Sequence, residues 1–139
     1  MGQGWRGRFG LPGPVARGMV KALFDTNILI DYLNGAAAAR TELARYTGPC
    51  ISIITWMEVM IGADARVAAA TESFLGGFAV VALDDAVARR AVELRKAHRI
   101  KLPDAVVWAS AQVGGMLLVT RNAKDFPAGD PGVRMPYRL

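Results

Sequence analysis

The sequence predicts a single α/β domain: a three-layer α/β/α sandwich with a central parallel sheet. Short, fully apolar runs of strand length alternate along the chain with longer segments of helix-forming residues. Such apolar runs are typical of strands buried on both faces of a parallel sheet, which right-handed helical crossovers connect. A length of 139 residues fits one domain, and a hydrophobic content of 53% supplies its core without disulfide bonds.

Five runs predict the strands, and helices separate them. The strands are expected at residues 20–24, 50–53, 78–83 and 116–120, with a short fifth strand at 133–135 on the sheet edge. Helices are expected at 26–33, 36–46, between the second strand and residue 62, at 65–75, after residue 85, and from Pro103 to residue 114. The residues suited to cap these helices at their N-termini are Thr26, Asn27, Ser52 or Thr55, Asp84 and Asp85.

The charge and cysteine content narrow the classes of function. Lys and Arg number 17 against 12 acidic residues, and the net charge of +5 favours a polyanionic partner. The single Cys50 excludes an internal disulfide and a cysteine-rich metal site, so nothing in the sequence argues for an oxidising compartment. The apolar runs are far shorter than the roughly twenty residues of a membrane span. We therefore expect a soluble, cytoplasmic protein that does not enter a membrane.

Residues 1–18 differ in composition from the rest of the chain and predict a disordered N-terminal extension to a folded domain at 19–139. The segment holds six of the fifteen glycines and three arginines, and it has no acidic residue and no apolar periodicity. Without those three arginines the net charge falls from +5 to +2. The segment lacks the apolar centre of a signal peptide. An upstream start of translation and a basic arm for nucleic acid are the alternatives.

Four acidic residues are predicted to meet at the carboxyl edge of the sheet. Asp25 directly follows the first strand, Glu58 lies in the helix after the second, Asp104 opens the last helix, and Asp125 follows the fourth strand. In open α/β sheets this edge is where ligands bind. Glu58 has apolar neighbours on both sides in the sequence, which predicts a cost of burial that a partner must offset. Each acid taken singly could instead cap a helix or pair with an arginine.

Converging carboxylates predict a bound divalent cation. Four negative charges without a cation would repel one another and some would take up protons, whereas a cation reverses that balance. Oxygen donors alone suit Mg²⁺ or Mn²⁺. A metal held in this way supports phosphodiester hydrolysis, because it lowers the pKa of a water molecule and neutralises charge on the phosphate. No nucleophilic side chain is then required.

Five segments of the chain, taken together, resemble the successive motifs of a known family. They are FDTNILID, WMEVMIGA, LPDAVVWASA, VTRNAKDF and the terminal PGVRMPY. In order and spacing they are similar to the motifs of PIN-domain ribonucleases, specifically the VapC-type toxins of bacterial toxin–antitoxin systems. The resemblance extends from the start of the predicted domain to the C-terminus. Typical members lack the N-terminal extension.

The resemblance implies a PIN-like fold and a Mg²⁺- or Mn²⁺-dependent endoribonuclease, a hydrolase that acts on RNA as a homodimer. It also implies a cognate antitoxin protein as the inhibitory partner. The implied catalytic and metal-binding residues are Asp25, Glu58, Asp104 and Asp125, with Asp25 and Asp104 as the principal ligands. Asn27 and Thr120 are implied as polar companions in the same pocket.

Some residues and functions keep alternatives at this stage. Arg121 is predicted to hold RNA phosphate, with a pairing to a carboxylate as the alternative. Asp31 is interpreted as a solvated or capping acid, and His98 as a cation near a helix C-terminus. One rival function is a catalytically degenerate RNA-binding module of the same fold, against which the four acids argue. Another is a receiver or phosphotransfer domain with Asp25 as its nucleophile, although Asn27 stands where a second acid is expected.

Overall fold

A computed structural model of the chain describes residues 20–139, which form five strands and six helices, with two helices after each of the first three strands. The strands are β1 (Ala22–Phe24), β2 (Cys50–Ser52), β3 (Ala79–Val81), β4 (Leu117–Val119) and β5 (Val133–Arg134). The helices are α1 (Thr26–Leu33), α2 (Ala37–Leu43), α3 (Ile53–Gly62), α4 (Ala68–Leu75), α5 (Asp85–His98) and α6 (Leu102–Val113). The extension expected at residues 1–18 lies outside the described residues. No helix of the described part is long and apolar enough to cross a membrane.

The strands form one parallel sheet in the order β3-β2-β1-β4-β5. The strand order reverses at the centre: β2 and β3 lie on one side of β1, and β4 and β5 lie on the other. Leu23 of β1 pairs in register with Leu118 of β4. Because all strands run in the same direction, their carboxyl ends share one edge of the sheet. The reversal between β1 and β4 is the position where open α/β sheets bind ligands.

Two buried cores flank the sheet, one on each face. Ala22 and Phe24 of β1 pack in one core with α1 to α4, whereas Leu23 packs in the other with α5 and α6. This alternation follows from the period of two residues along a strand. Helices on both faces also explain why the central strands β1 and β4 are apolar throughout. The three-layer α/β/α sandwich with a parallel sheet is therefore confirmed.

The helix N-termini follow the sequence prediction at two positions and depart from it at a third. Ser52 and Asp84 cap α3 and α5 with their side chains, as predicted. The prediction that Thr26 or Asn27 caps α1 is wrong, because Asp25 is the capping residue and accepts the backbone N–H of Thr26 at 2.8 Å. The acid expected to serve a ligand thus also begins the first helix.

Two helices are shorter than predicted. The helix predicted at 36–46 is α2, which covers only Ala37–Leu43. The helix predicted at 65–75 is α4, which begins at residue 68, three residues later than predicted. Before α4, the side chain of Asp64 accepts the backbone N–H of Arg66 at 2.9 Å. Such a local bond offers the backbone an alternative to the helix and favours a turn.

A buried ion pair ties α2 to the edge strand β5. Glu42 is only 3% exposed and accepts two hydrogen bonds from the guanidinium of Arg134, at 2.6 and 3.0 Å. The hydroxyl of Tyr46 donates to the same carboxylate at 3.2 Å. Two-point pairing of this kind satisfies a carboxylate that the helix carries into the core. It also fixes the position of β5, which is only two residues long.

Glu42→Gln is expected to lower the free energy of unfolding by about 2–3 kcal/mol, because Arg134, which is partly exposed, loses its carboxylate. Glu93→Gln is the matched control. Its pair with Arg90 is solvent-exposed, so the free energy should change by less than about 0.5 kcal/mol. Urea unfolding measures both variants. Equal effects of the two substitutions would contradict the structural role of the Glu42 pair.

Candidate active site

Asp25 lies at the carboxyl end of the central strand, and neutral donors hold its carboxylate. One oxygen accepts the backbone N–H of Thr26 at 2.8 Å. The other accepts the hydroxyl of Thr120 at 2.8 Å and the side-chain amide of Asn27 at 3.1 Å. The side chain is 5% exposed, and burial raises the pKa of its carboxyl, although these hydrogen bonds oppose the rise.

Asn27, in α1 just after β1, and Thr120, just after β4, connect the ends of the two strands that flank the reversal of strand order. Thr120 directly follows β4, and the Asn27 amide donates to its hydroxyl at 3.3 Å. The side-chain oxygen of Asn27 accepts the backbone N–H of Arg121 at 3.0 Å. The structure therefore places both residues beside Asp25, where the sequence predicted polar companions. Their bonds fix the direction of the carboxylate between the start of α1 and the end of β4.

Asp104 lies in the first turn of α6 and is half-buried. Burial and the negative charges of Asp25, Asp125 and Glu58, together with a hydrogen bond to Asp125, raise the pKa of Asp104 to about 6. All three other acids therefore act on this one carboxyl. The other three predicted acids therefore lie within electrostatic reach of Asp104 at the carboxyl edge of the sheet.

Asn122 is a site residue that the sequence analysis missed. Its amide donates to Asp125 at 2.9 Å, and its oxygen accepts the backbone N–H groups of Lys124 and Asp125 at 3.2 Å each. Its own backbone N–H donates to the Thr120 hydroxyl at 3.0 Å. A hydrogen-bonded turn thus connects Thr120, which holds Asp25, with Asp125. An Asn three residues before an acid after a strand is the turn signal that could have revealed it.

Glu58 is exposed, so the prediction of its burial is wrong. Residues adjacent in a helical sequence point in different directions, and α3 buries Thr55 and Val59 instead. The apolar neighbours of Glu58 therefore do not enclose it, and Ile61 is itself 84% exposed. Glu58 still belongs to the site, because the hydroxyl of Thr26 donates to its carboxylate at 2.6 Å.

Arg121 pairs with a carboxylate, which favours the alternative that the sequence left open over phosphate binding. Its Nε and Nη2 donate to Asp31 at 2.7 and 2.8 Å, and the hydroxyl of Tyr137 donates to the same acid at 2.8 Å. The prediction that Asp31 is solvated or capping is wrong, since it is 5% exposed. The pair anchors the loop after β4 to α1 and so supports the Thr120 and Asn27 contacts with Asp25.

The buried structural acids differ from the acids of the candidate site in how their charge is compensated. Asp31 and Glu42 each accept two bonds from an arginine, whereas no Lys, Arg or His within residues 20–139 forms an ion pair with the four acids of the candidate site. A structural role as ion-pair partners is therefore excluded for these four within the described part. Their charge is left for a ligand to compensate.

The chemistry of the donors fits a hard divalent cation. The donors are carboxylate oxygens, and a carboxylate that accepts three hydrogen bonds, as Asp25 does, keeps one of its roughly four lone-pair positions. As the side chains stand, no three acids, histidines or cysteines within residues 20–139 are gathered closely enough to hold a metal ion. The roles of Asp25, Glu58, Asp104 and Asp125 as metal ligands stay predictions.

The chain is similar to known proteins over most of its length. Residues 22–129 match the PIN domain family. The chain is 34% identical to Ribonuclease VapC10 of Mycobacterium tuberculosis, over 76% of this chain and 85% of that protein. It is 45% identical, with a TM-score of 0.81, to a chain of a toxin–antitoxin complex from Klebsiella pneumoniae, covering 86% of this chain and 100% of that one. A chain of DNA-bound VapBC from Salmonella typhimurium is 27% identical, with a TM-score of 0.66, covering 84% and 96%.

Without metal, the protein is expected to become less stable as the pH rises from about 4 to 7. The folded-state pKa of Asp104, about 6, exceeds the usual value of 3.8, so the folded chain binds this proton more tightly than the unfolded chain. That contribution to stability is present below the unfolded pKa and is lost as the pH rises through the folded pKa. In Asp104→Asn the stability should fall less over this pH range, because the substitution removes one of the titrating groups.

Thermal unfolding in EDTA, at about pH 5 and about pH 7, measures this pH dependence. Asp85→Asn is the matched control, since Asp85 is an exposed acid in the first turn of α5 and pairs with Arg89. It should leave the pH dependence as in the wild type. An unchanged fall in Asp104→Asn would contradict the repulsion among the four acids.

Proposed function

The chain belongs to the PIN domain family, and from this premise we propose that it is an endoribonuclease, the toxin of a toxin–antitoxin pair. One observation carries the proposal: four carboxylates lie at the carboxyl edge of a parallel sheet, with no ion pair to a cation of the described chain, and burial together with the other three raises the pKa of Asp104. A catalytically degenerate module would have no need to retain this repulsion. Because the chain belongs to the PIN domain family, the alternative of a receiver or phosphotransfer domain is set aside.

We propose that Asp25 and Asp104 are the principal ligands of a divalent cation, Mg²⁺ or Mn²⁺, and that Glu58 and Asp125 complete the site. When bound, such a cation supplies Lewis acidity, lowering the pKa of a water molecule and neutralising charge on the phosphate. Protonation of Asp104 competes with the cation, because its pKa is near 6. The proposed reaction is hydrolysis of an RNA phosphodiester bond by water.

The residues around the acids orient them for this role. Thr120, Asn27 and the backbone of Thr26 hold Asp25 in one direction, so its free lone pair points consistently. Asn122 does the same for Asp125. The Thr26 hydroxyl donates to the exposed carboxylate of Glu58, which supports its proposed part in the cation site.

Asp25→Asn and Asp104→Asn are each expected to lower RNA cleavage by at least about 100-fold, because each removes a negative ligand from the metal site. A fluorescent RNA panel assayed with Mg²⁺ or Mn²⁺ and with EDTA measures the loss. Asp85→Asn, far along the chain on α5, is the control and should keep wild-type cleavage. Circular dichroism verifies that each variant is folded. Wild-type-like cleavage by either site variant would overturn the assignment.

We also propose a cognate antitoxin as the partner, since a chain of the Klebsiella pneumoniae toxin–antitoxin complex is 45% identical over 86% of this chain. A basic side chain of the antitoxin would fit the acidic pocket, which no residue within 20–139 neutralises by an ion pair. The homodimer stays a prediction. Ile61, exposed on α3 three residues beyond Glu58, is a candidate for such an interface.

The purified antitoxin is expected to inhibit cleavage in competition with Mg²⁺, because its cation and the metal would compensate the same carboxylates. Cleavage rates measured over a matrix of antitoxin and Mg²⁺ concentrations test this expectation. A rise in the apparent inhibition constant with Mg²⁺ supports occlusion of the acid site. Tight inhibition that does not depend on Mg²⁺ would place the antitoxin on another surface.

A further inference from the structure

A run of basic side chains leads from the end of α5 to the start of α6, the helix that carries Asp104. Residues 95–101, which we name the basic corner, contain no acidic residue. Its four Lys and Arg residues and its one histidine are all exposed: Arg95, Lys96, His98, Arg99 and Lys101. Elsewhere in the described part, the exposed Arg66 and Arg89 each pair with an acid, whereas the exposed Arg40 and Arg138 form no ion pair there.

Local structure accounts for part of the basic corner. Arg95 donates to the backbone carbonyl of Ile100 at 2.6 Å, and the ring of His98 lies 4.8 Å from that of Trp108. Arg95, Lys96 and His98 also lie in the last turn of α5, where the helix dipole favours positive charge. Arg99 is the C-cap residue of α5, and its backbone N–H donates to the carbonyl of Arg95 at 2.8 Å. The side chains of Arg99 and Lys101 take no part in these contacts.

Arg99 holds a backbone conformation that favours glycine. Its φ of 56° and ψ of 32° are left-handed, and it is the only residue other than glycine with a positive φ within 20–139. A β-carbon in this region costs free energy that glycine would not. Within the same residues, no side chain forms a hydrogen bond or ion pair with Arg99 or Lys101 that would offset this cost. The end of α5 explains this backbone, because helices commonly end on a left-handed residue. The side chains of Arg99 and Lys101, unpaired within the described part, are what is left for a binding partner.

Both cations border the acid site. Lys101 is the N-cap residue of α6, and its carbonyl accepts the backbone N–H of Ala105 at 2.9 Å. Asp104 follows three residues later, and residues three apart on a helix have their β-carbons about 5–6 Å from each other. The chain from Arg99 to Asp104 spans at most about 18 Å even when fully extended. A strand of RNA bound at Asp104 therefore lies within reach of both.

We propose that Arg99 and Lys101 bind the phosphate backbone of the RNA substrate and hold it against the acid site. The inference rests on the proposed ribonuclease function. Four carboxylates repel a polyanion, and flanking cations offset that repulsion at the place where the strand enters. Contacts of Lys and Arg to phosphate position a nucleic acid without reading its sequence. Arg99 and Lys101 therefore contribute to substrate affinity and not to the chemical step.

Steady-state cleavage of a labelled single-stranded RNA of mixed sequence tests the proposal with the double variant Arg99→Gln/Lys101→Gln. KM is expected to rise about tenfold while kcat changes less than about twofold. Binding is measured in the Asp104→Asn background, with and without the double substitution, over a range of salt concentrations. The slope of log affinity against log salt should decrease by about 1.4, or about 0.7 for each lost phosphate contact.

Two further single variants separate binding from structure. Arg99→Gly relieves the left-handed strain, so the variant should unfold at the same or a higher temperature than wild type while KM rises. Arg99→Lys keeps the charge and should have the KM of the wild type. Arg89→Gln is the matched control, because it removes an exposed arginine of the same helical hairpin about ten residues away, or about 15 Å along the helix. It should leave KM unchanged.

The outcomes distinguish this proposal from the ribonuclease function itself. If wild type cleaves RNA and the double variant has the same KM, or if Arg89→Gln raises KM equally, the basic corner is not the binding surface. The proposal would also be overturned if the double substitution weakened the binding of DNA of the same sequence but left RNA cleavage unaltered. If wild type neither cleaves nor binds the RNA under any metal condition, the proposed function fails instead.

Discussion

The buried carboxylate of Asp25 at the end of the central strand is the constraint on which the rest of the site depends. A carboxylate 5% exposed needs several donors, and they come from the start of α1 and from the residue after β4. The two neighbouring strands must therefore end in register, which the pairing of Phe24 with Val119 provides. The anchored loop after β4 then positions Asp125 through Asn122.

The molecule compensates its buried structural acids and the acids at the sheet edge in different ways. Asp31 and Glu42 are compensated by arginines from distant parts of the chain, and those pairs fix the loop after β4 and the edge strand β5 in place. The acids at the sheet edge have only neutral donors and each other, so they carry a standing cost in electrostatic repulsion. The arginine-paired acids thus stabilise the fold around the site. The acids at the sheet edge form no ion pair within residues 20–139.

Charge of the opposite sign lies next to this acidic edge. The basic corner precedes Asp104 directly in the chain, so a single helical hairpin carries both the cations and one of the acids. A polyanionic substrate must approach carboxylates that repel it, and neighbouring cations lower that barrier through the local field. The positive φ of Arg99 belongs to the end of α5, so the helix terminus sets the position of this cation.

The sequence by itself determined the α/β order, the parallel sheet and the edge at which Asp25, Glu58, Asp104 and Asp125 meet. These follow from local patterns: the length of apolar runs, the capping residues, and the rule that parallel strands end at one edge. Only the tertiary structure decided that Arg121 binds Asp31, 90 residues away, and that Glu58 is exposed. Which side chain meets which across such separations depends on helix rotation and loop path. No local pattern of residues encodes these, because they are set by packing against the sheet.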